Sequence, residues 1–229
     1  GYLPNIGEAI VAFLATANLG AIWTSCAPEF GVGAVLDRFG QVEPKVLFVV
    51  DGYRYGRHDV DRSDEVRRLI EGLPTVSSTI IVRHLGAQHS VDADLIEWND
   101  LGSGLSAELA FDDVDFDHPL YILYSSGTTG LPKPIVHGHG NITLEHLKVL
   151  TLHADMGERD RFMWFTTTGW MMWNYLVSGL LTGACLVLFD GDPASEGADT
   201  LWRLVADEGV TWFGSGAPWF SACRRAGLQ

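Results

Sequence analysis

Apolar residues recur at helical spacing near the start of the chain and then give way to short continuous runs. Ile10, Phe13, Leu14 and Ala17 share one face of a helix that Gly20 ends, with Asn5 as the expected N-cap and Glu8 three residues on, a variant of the capping box. Residues 21–26 read as a short strand. The unit then repeats, with a helix over 32–42 before a strand over 46–50, and a helix over 63–71 before a strand over 79–83. Helices alternating with short apolar strands predict an α/β fold, mostly parallel sheets covered by helices.

Residues 86–118 are polar and read as a connection that delivers the chain to a buried, aromatic strand over 121–124. A strand over 135–137 follows, and Asn141 is the expected cap of a helix over 142–155. The strand 162–165 ends in Thr166, Thr167, Thr168 and Gly169, after which a helix rich in Trp and Met begins. The most apolar run, 175–189, is broken by Ser178, Gly179, Thr182 and Gly183. It falls short of a membrane span and reads as helix followed by strand. A helix over 196–208 and a strand over 210–213 lead into Gly214-Ser215-Gly216-Ala217-Pro218.

The candidate chemistry lies where the strand 121–124 empties into Ser125, Ser126, Gly127, Thr128, Thr129, Gly130, Leu131, Pro132 and Lys133. Glycines let the backbone turn tightly and approach a ligand, and successive N–H groups in such a turn form an anion nest. Four hydroxyls add neutral donors and Lys133 adds a point charge, the set a polyphosphate needs. A Walker A loop is excluded, because Lys133 follows Gly130 by three positions and Pro134 stands where a hydroxyl residue belongs. A dinucleotide fingerprint is excluded too: neither Gly138-His139-Gly140 nor Gly31-Val32-Gly33 completes it.

Other clusters carry less. Asp112, Asp113, Asp115 and Asp117 beside His118 lack the ligand spacing of a known cation site and read as a solvated loop. His137 and His139 lie two apart, with no third ligand near, so no metal site is expected. At Thr166–Trp170 the threonines supply hydroxyls at a strand end and Trp170 a flat apolar surface, which marks a pocket wall or core. The formal charge of −14 argues against nucleic acid or an anionic membrane as the main partner, though not against ATP held by one local cation. Three scattered cysteines, Cys26, Cys185 and Cys223, form no disulfide framework and point to a reducing cytoplasm. The chain opens on Gly1 with neither a charged nor an apolar leader pattern, so no secretory signal is expected.

Tyr124-Ser125-Ser126-Gly127-Thr128-Thr129-Gly130-Leu131-Pro132-Lys133 resembles the phosphate loop of the adenylate-forming superfamily, which includes the acyl-CoA synthetases. The resemblance extends over nearly the whole chain. The segments LPNIGEAIVAF, LGAIWTSCAPEFG, VLDRFGQVEPKVLFV and WFTTTGWMMWNYLVSGLL are similar to the acetoacetate-activating branch, in which Met172 also fits better than in the acetate-activating one. It implies part of the large N-terminal domain of an adenylate-forming enzyme: residues 1–229 as a partial AMP-binding domain truncated at both ends, without the small C-terminal domain. It also implies an acid–thiol ligase using ATP, Mg²⁺ carried on the nucleotide, and CoA as co-substrate, acting on small molecules in the cytoplasm. Ser125, Ser126, Gly127, Thr128, Thr129, Gly130 and Lys133 would bind the ATP phosphates, and Thr168, Gly169 and Trp170 would line the acyl or CoA pocket. The catalytic lysine and the adenine and ribose contacts are expected beyond Gln229, so this piece alone is expected to be inactive. The Gly214–Pro218 string imitates the superfamily's adenine turn but follows the phosphate loop too closely to be it. Two alternatives stand beside this reading: an acetyl- or propionyl-CoA synthetase-like ligase, and a non-catalytic nucleotide-binding fragment.

Overall fold

The computed structural model describes residues 1–86, 91, 94–102, 109–126 and 130–228. Helix α1 (Gly7–Asn18) packs Ala9, Ile10, Ala12 and Phe13 inward and closes on Gly20. There the Gly20 N–H reaches Ala17 O at 3.0 Å and the Ala21 N–H reaches Thr16 O at 3.0 Å. This Schellman closure requires the left-handed φ of +61° that glycine adopts without strain. The cap at the other end differs from the sequence expectation. Ile6 is the N-cap and no side chain caps the helix; Asn5 is instead buried and bonded to distant parts of the chain.

Helix α2 (Val32–Phe39) is shorter than expected, and β1 (Val46–Val50) matches its prediction. An antiparallel hairpin of β2 (Gly52–Tyr55) and β3 (His58–Asp61) follows, turning at Gly56 with φ +63°. Then come α3 (Ser63–Gly72) and β4 (Ser78–Val82), which lies parallel to β1. The two-residue β5 (Ile96–Glu97) joins β4, also parallel. Val35 and Phe39 of α2 and Val66 and Leu69 of α3 pack in one buried cluster with Leu47, Val49 and Ile81 of the sheet.

Residues 21–26 do not form the expected strand. They are tied by single bridges, Trp23 to Tyr121 and Cys26 to Tyr2, while Tyr2 also bridges Val49. Through these bridges the chain start links β1 to β6 (Pro119–Ser125), whose antiparallel partner is β7 (Lys133–Gly138). Helix α4 (His139–Lys148) begins three residues before the expected start and ends in a π-helical turn, Val149–His153, so Asn141 lies inside it and Gly138 is its cap.

The second parallel sheet has the order β10–β8–β9, from β8 (Arg161–Trp164), β9 (Cys185–Val187) and β10 (Trp212–Gly214). Helices α5 (Met171–Val177), α6 (Thr200–Asp207) and α7 (Ala217–Arg225) flank these strands in sequence. Phe13 joins the layers: its ring lies 6.1 Å from Trp23, 6.0 Å from Tyr121 and 5.9 Å from Trp173, centroid to centroid. These are the tilted and edge-on distances aromatic pairs favour. The fold is thus α/β with mostly parallel strands and covering helices, as the alternation of patterns predicts.

Candidate active site

All three strands of the β10–β8–β9 sheet run in one direction, so their carboxyl ends open on the same side. That is where ligands sit in α/β sheets of this kind. β8 runs out through Phe165, Thr166 and Thr167, and β10 through Ser215 and Gly216. Together with Trp164, Trp170, Met172, Pro193, Pro218 and Trp219 they wall a cavity of about 660 Å³. A second cleft of about 350 Å³ adjoins it, sharing Phe165, Thr166, Thr167, Trp170 and Pro193 and adding Phe189 and Asp190 from the end of β9, with Glu29, Phe30 and Tyr55 opposite.

The first cavity combines apolar walls with buried hydroxyls. The Oγ1 of Thr167 and the Oγ of Ser215 are buried and find no hydrogen-bond partner among the described residues. Buried hydroxyls are normally satisfied, and leaving one bare costs about 1–3 kcal/mol. This arrangement suits a small molecule with an apolar body and a polar end.

Trp170 is 65% exposed and caps α5, which places it on the cleft wall and not in the core. Thr168 is placed differently from its neighbours. It is buried, its hydroxyl donates to Leu3 O at 2.6 Å, and Ser25 Oγ donates to its carbonyl at 2.8 Å, so it fastens the strand-end loop to the chain start. Gly169 faces Phe30, whose Cζ stands 2.9 Å from where a Cβ would lie. Neither Thr168 nor Gly169 is among the residues lining the two cavities. Sequence reasoning passed over Ser215, Gly216, Trp219 and the β9 end. The signal for Ser215 and Gly216 is the Gly-Ser-Gly break after an apolar strand, comparable to the Thr-Gly-Trp break after β8.

The phosphate-loop candidate hangs between β6 and β7. Ser125 and Lys133 are paired residues across this hairpin, so the hydroxyl and the cation stand at the two sides of the loop mouth. Gly130 has φ +157° and Lys133 is exposed. Two bonds fasten the hairpin to α2 and the turn after it: Tyr124 Oη donates to Arg38 O at 2.9 Å and Gln41 Nε2 donates to Pro132 O at 2.9 Å. Gly127, Thr128 and Thr129 lie outside the described residues. Ser126 is exposed just before them.

The electrostatics concentrate in the smaller cleft. Burial pushes the Asp190 carboxyl up to about 6, the charge of Glu29 adds to the rise, and the Asn5 backbone N–H opposes it. Glu29 is raised as well, by its own burial, against a backbone N–H and the charge of Arg62. His84 Nε2 stands 3.7 Å from Asp190 Oδ2. Among the described residues no three His, Cys, Asp or Glu side chains gather as a metal site. His137 lies against Tyr121 at 5.2 Å and His139 against His118 at 5.7 Å, ring to ring, and burial lowers both of their pKa values. No helix among the described residues is long and apolar enough to cross a membrane.

The described parts of the site are thus a β6/β7 hairpin carrying Ser125 and Lys133 and an aromatic cleft at parallel strand ends. Residues 2–228 match the family described as AMP-binding enzyme, and the chain belongs to that family. Within it, several of the similar proteins are acetoacetyl-CoA synthetases, and one is a malonamoyl-CoA synthetase of Penicillium aethiopicum, 38% identical over 98% of this chain. The chain is 44% identical to an acetoacetyl-coenzyme A synthetase of Rhizobium meliloti (strain 1021), over 99% of this chain and 35% of that protein. It is 40% identical to the acetoacetyl-CoA synthetase of Gallus gallus, over 100% of this chain and 36% of the relative. The solved acetoacetyl-CoA synthetase from Streptomyces lividans superposes with a TM-score of 0.95 at 55% identity, covering 100% of this chain and 35% of that one. The chain therefore spans about 35% of the length of the proteins it resembles.

Proposed function

We propose that this chain serves an ATP-dependent acid–thiol ligase whose acid is acetoacetate. A carboxylate oxygen of the acid attacks the α-phosphorus of ATP, the bond to the bridging oxygen breaks, and pyrophosphate leaves. The CoA sulfur, giving up its proton, then attacks the acyl carbon of the mixed anhydride and AMP leaves with the bonding electrons. The pairing of Ser125 with Lys133 across the mouth of the β6/β7 loop carries the reading, because a hydroxyl donor and a cation on paired strand positions support stabilisation of the charge that a departing polyphosphate gathers.

In this reading Ser125, Ser126, Gly127, Thr128, Thr129 and Gly130 hold the β- and γ-phosphates with Lys133, and Mg²⁺ travels on those phosphates. Trp170, Thr167, Ser215 and Trp219 hold the acid, with Thr168 and Gly169 shaping the wall from behind. The protein supplies positioning and charge stabilisation and no nucleophile of its own. The names of the relatives support acetoacetate over acetate or propionate. Gly1–Gln229 on its own is proposed to be inactive, since the resemblance assigns the adenine, ribose and α-phosphate contacts to residues outside this sequence.

The test is product analysis with the full-length protein, ATP, Mg²⁺, CoA and acetoacetate. Acetoacetyl-CoA, AMP and pyrophosphate in equal amounts are expected. A preference for acetate or propionate would assign the site to another short-chain acid, and nucleotide binding without any thioester would make it a binding module.

A further inference from the structure

The segment Leu3-Pro4-Asn5 is buried, and three of its polar atoms reach three different elements around the strand-end cleft. Leu3 O accepts from Thr168 Oγ1 at 2.6 Å, on the loop that leaves β8. Asn5 Oδ1 accepts from Trp173 Nε1 at 3.0 Å, on α5. Asn5 Nδ2 donates to Phe189 O at 3.3 Å, at the end of β9. The side chain that joins α5 to the β9 end is only 2% exposed. It lies 168 and 184 residues from its two partners in sequence.

The β9 end needs such a tether. Phe189 and Asp190 line the smaller cleft together with Glu29, whose charge adds to the rise of the Asp190 carboxyl. Like charges repel, so the two carboxylates oppose each other whenever both are ionised, a repulsion that the exposure of Glu29 softens. His84 and the Asn5 backbone N–H offer Asp190 some compensation. The other wall is Phe165 to Trp170, continuous with α5 and Trp173. The two walls touch directly through Phe165 and Phe189, whose rings lie edge-on at 5.9 Å.

We propose that Asn5 is a positioning residue for the cleft: its amide clamps the turn after β9 to α5, and so sets the cleft width and the fit of the acid or thioester between the walls. The part about fit rests on the ligase reading; the clamp itself does not. A helix cap, the role its place in the sequence suggests, is excluded by the two bonds its side chain makes elsewhere.

The experiment compares Asn5→Ala and Trp173→Phe with the parent in the full-length chain. Asn5→Ala removes both bonds, whereas Trp173→Phe removes one donor and keeps an aromatic ring in the core. Two quantities are read: amide hydrogen exchange over residues 188–192, and KM and kcat for the carboxylate in the adenylation step. Loss of one or two hydrogen bonds predicts exchange over 188–192 about three- to tenfold faster in Asn5→Ala, with the amides of β1 and β4 unchanged. It also predicts a carboxylate KM raised by about tenfold with kcat within about threefold, since a loosened wall weakens binding more than the chemical step. Trp173→Phe should move both readings the same way by less, and it carries the test alone if Asn5→Ala fails to fold. Unchanged exchange over 188–192 in both variants would overturn the clamp. Faster exchange with an unchanged KM would overturn the effect on fit. A parent with no carboxylate-dependent activity would defeat the ligase reading while leaving the exchange comparison to decide the clamp.

Discussion

Lys133 pairs with Ser125 at the loop mouth, and under the proposed ligase reading its worth depends on charge that develops only as pyrophosphate leaves. Lys133→Ala should therefore raise the adenylation barrier by roughly 2–4 kcal/mol while leaving the fold intact, because the side chain is exposed. Adenylation rates by rapid quench, with the melting temperature as control, would show it; an unchanged rate would make Lys133 a solvated loop residue. Asp190 gives a pH prediction with a definite sign. Its carboxyl is raised in the folded protein from an ordinary value of 3.8 to about 6, so the folded state holds the proton more tightly than the unfolded chain. The stability this group lends is complete below its ordinary value and is lost as pH rises through about 6. Asp190→Asn should leave stability unchanged in acid and raise it above the folded-state value, the difference opening between the two. Equal gains at all pH values in denaturant titrations would contradict it.

At the scale of elements, the loop leaving β8 is held by Thr168, whose hydroxyl satisfies a carbonyl of the fully buried Leu3. Thr168→Val keeps the shape and strands that carbonyl, at a cost of about 1–3 kcal/mol. Urea unfolding of the variant measures it, and a cost near zero would mean the loop is held by other contacts. The same elements show what the sequence could and could not disclose. Strand β1 was legible because Val46, Leu47, Phe48, Val49 and Val50 form one continuous apolar run bounded by polar residues. The β2/β3 hairpin was not. Its outward Arg54, His58 and Asp59 look like loop composition, and only Gly56 with φ +63° marked the turn. Residues 21–26 have strand composition but bond through isolated bridges, since Trp23 and Cys26 reach different neighbours. Asn5 was misread for a physical reason: capping is a local rule, and its partners Trp173 and Phe189 are far away in sequence. The site followed the same division. Trp170 could be named as a cleft residue because the Thr-Gly-Trp break is local, whereas Ser215, Trp219 and Asp190 join the two clefts only once three parallel strands end side by side.

For the whole molecule, bridges through Tyr2 and Trp23 tie β1 to the β6/β7 hairpin, and bonds at Leu3 and Asn5 tie the chain start to the walls of the aromatic cleft. The formal charge of −14 adds no broad attraction for anionic substrates, so the proposed binding of ATP and of the acid would have to come from local groups such as Lys133 and the hydroxyls. The central claim is that the acid is activated as an adenylate before CoA takes part. The direct test is exchange of labelled pyrophosphate into ATP by the full-length protein, with Mg²⁺ present and CoA left out, across acetate, propionate, acetoacetate and butyrate. Exchange that depends on the carboxylate and is fastest with acetoacetate is the result expected. A folded, ATP-binding protein that shows no exchange with any of the four would contradict the account.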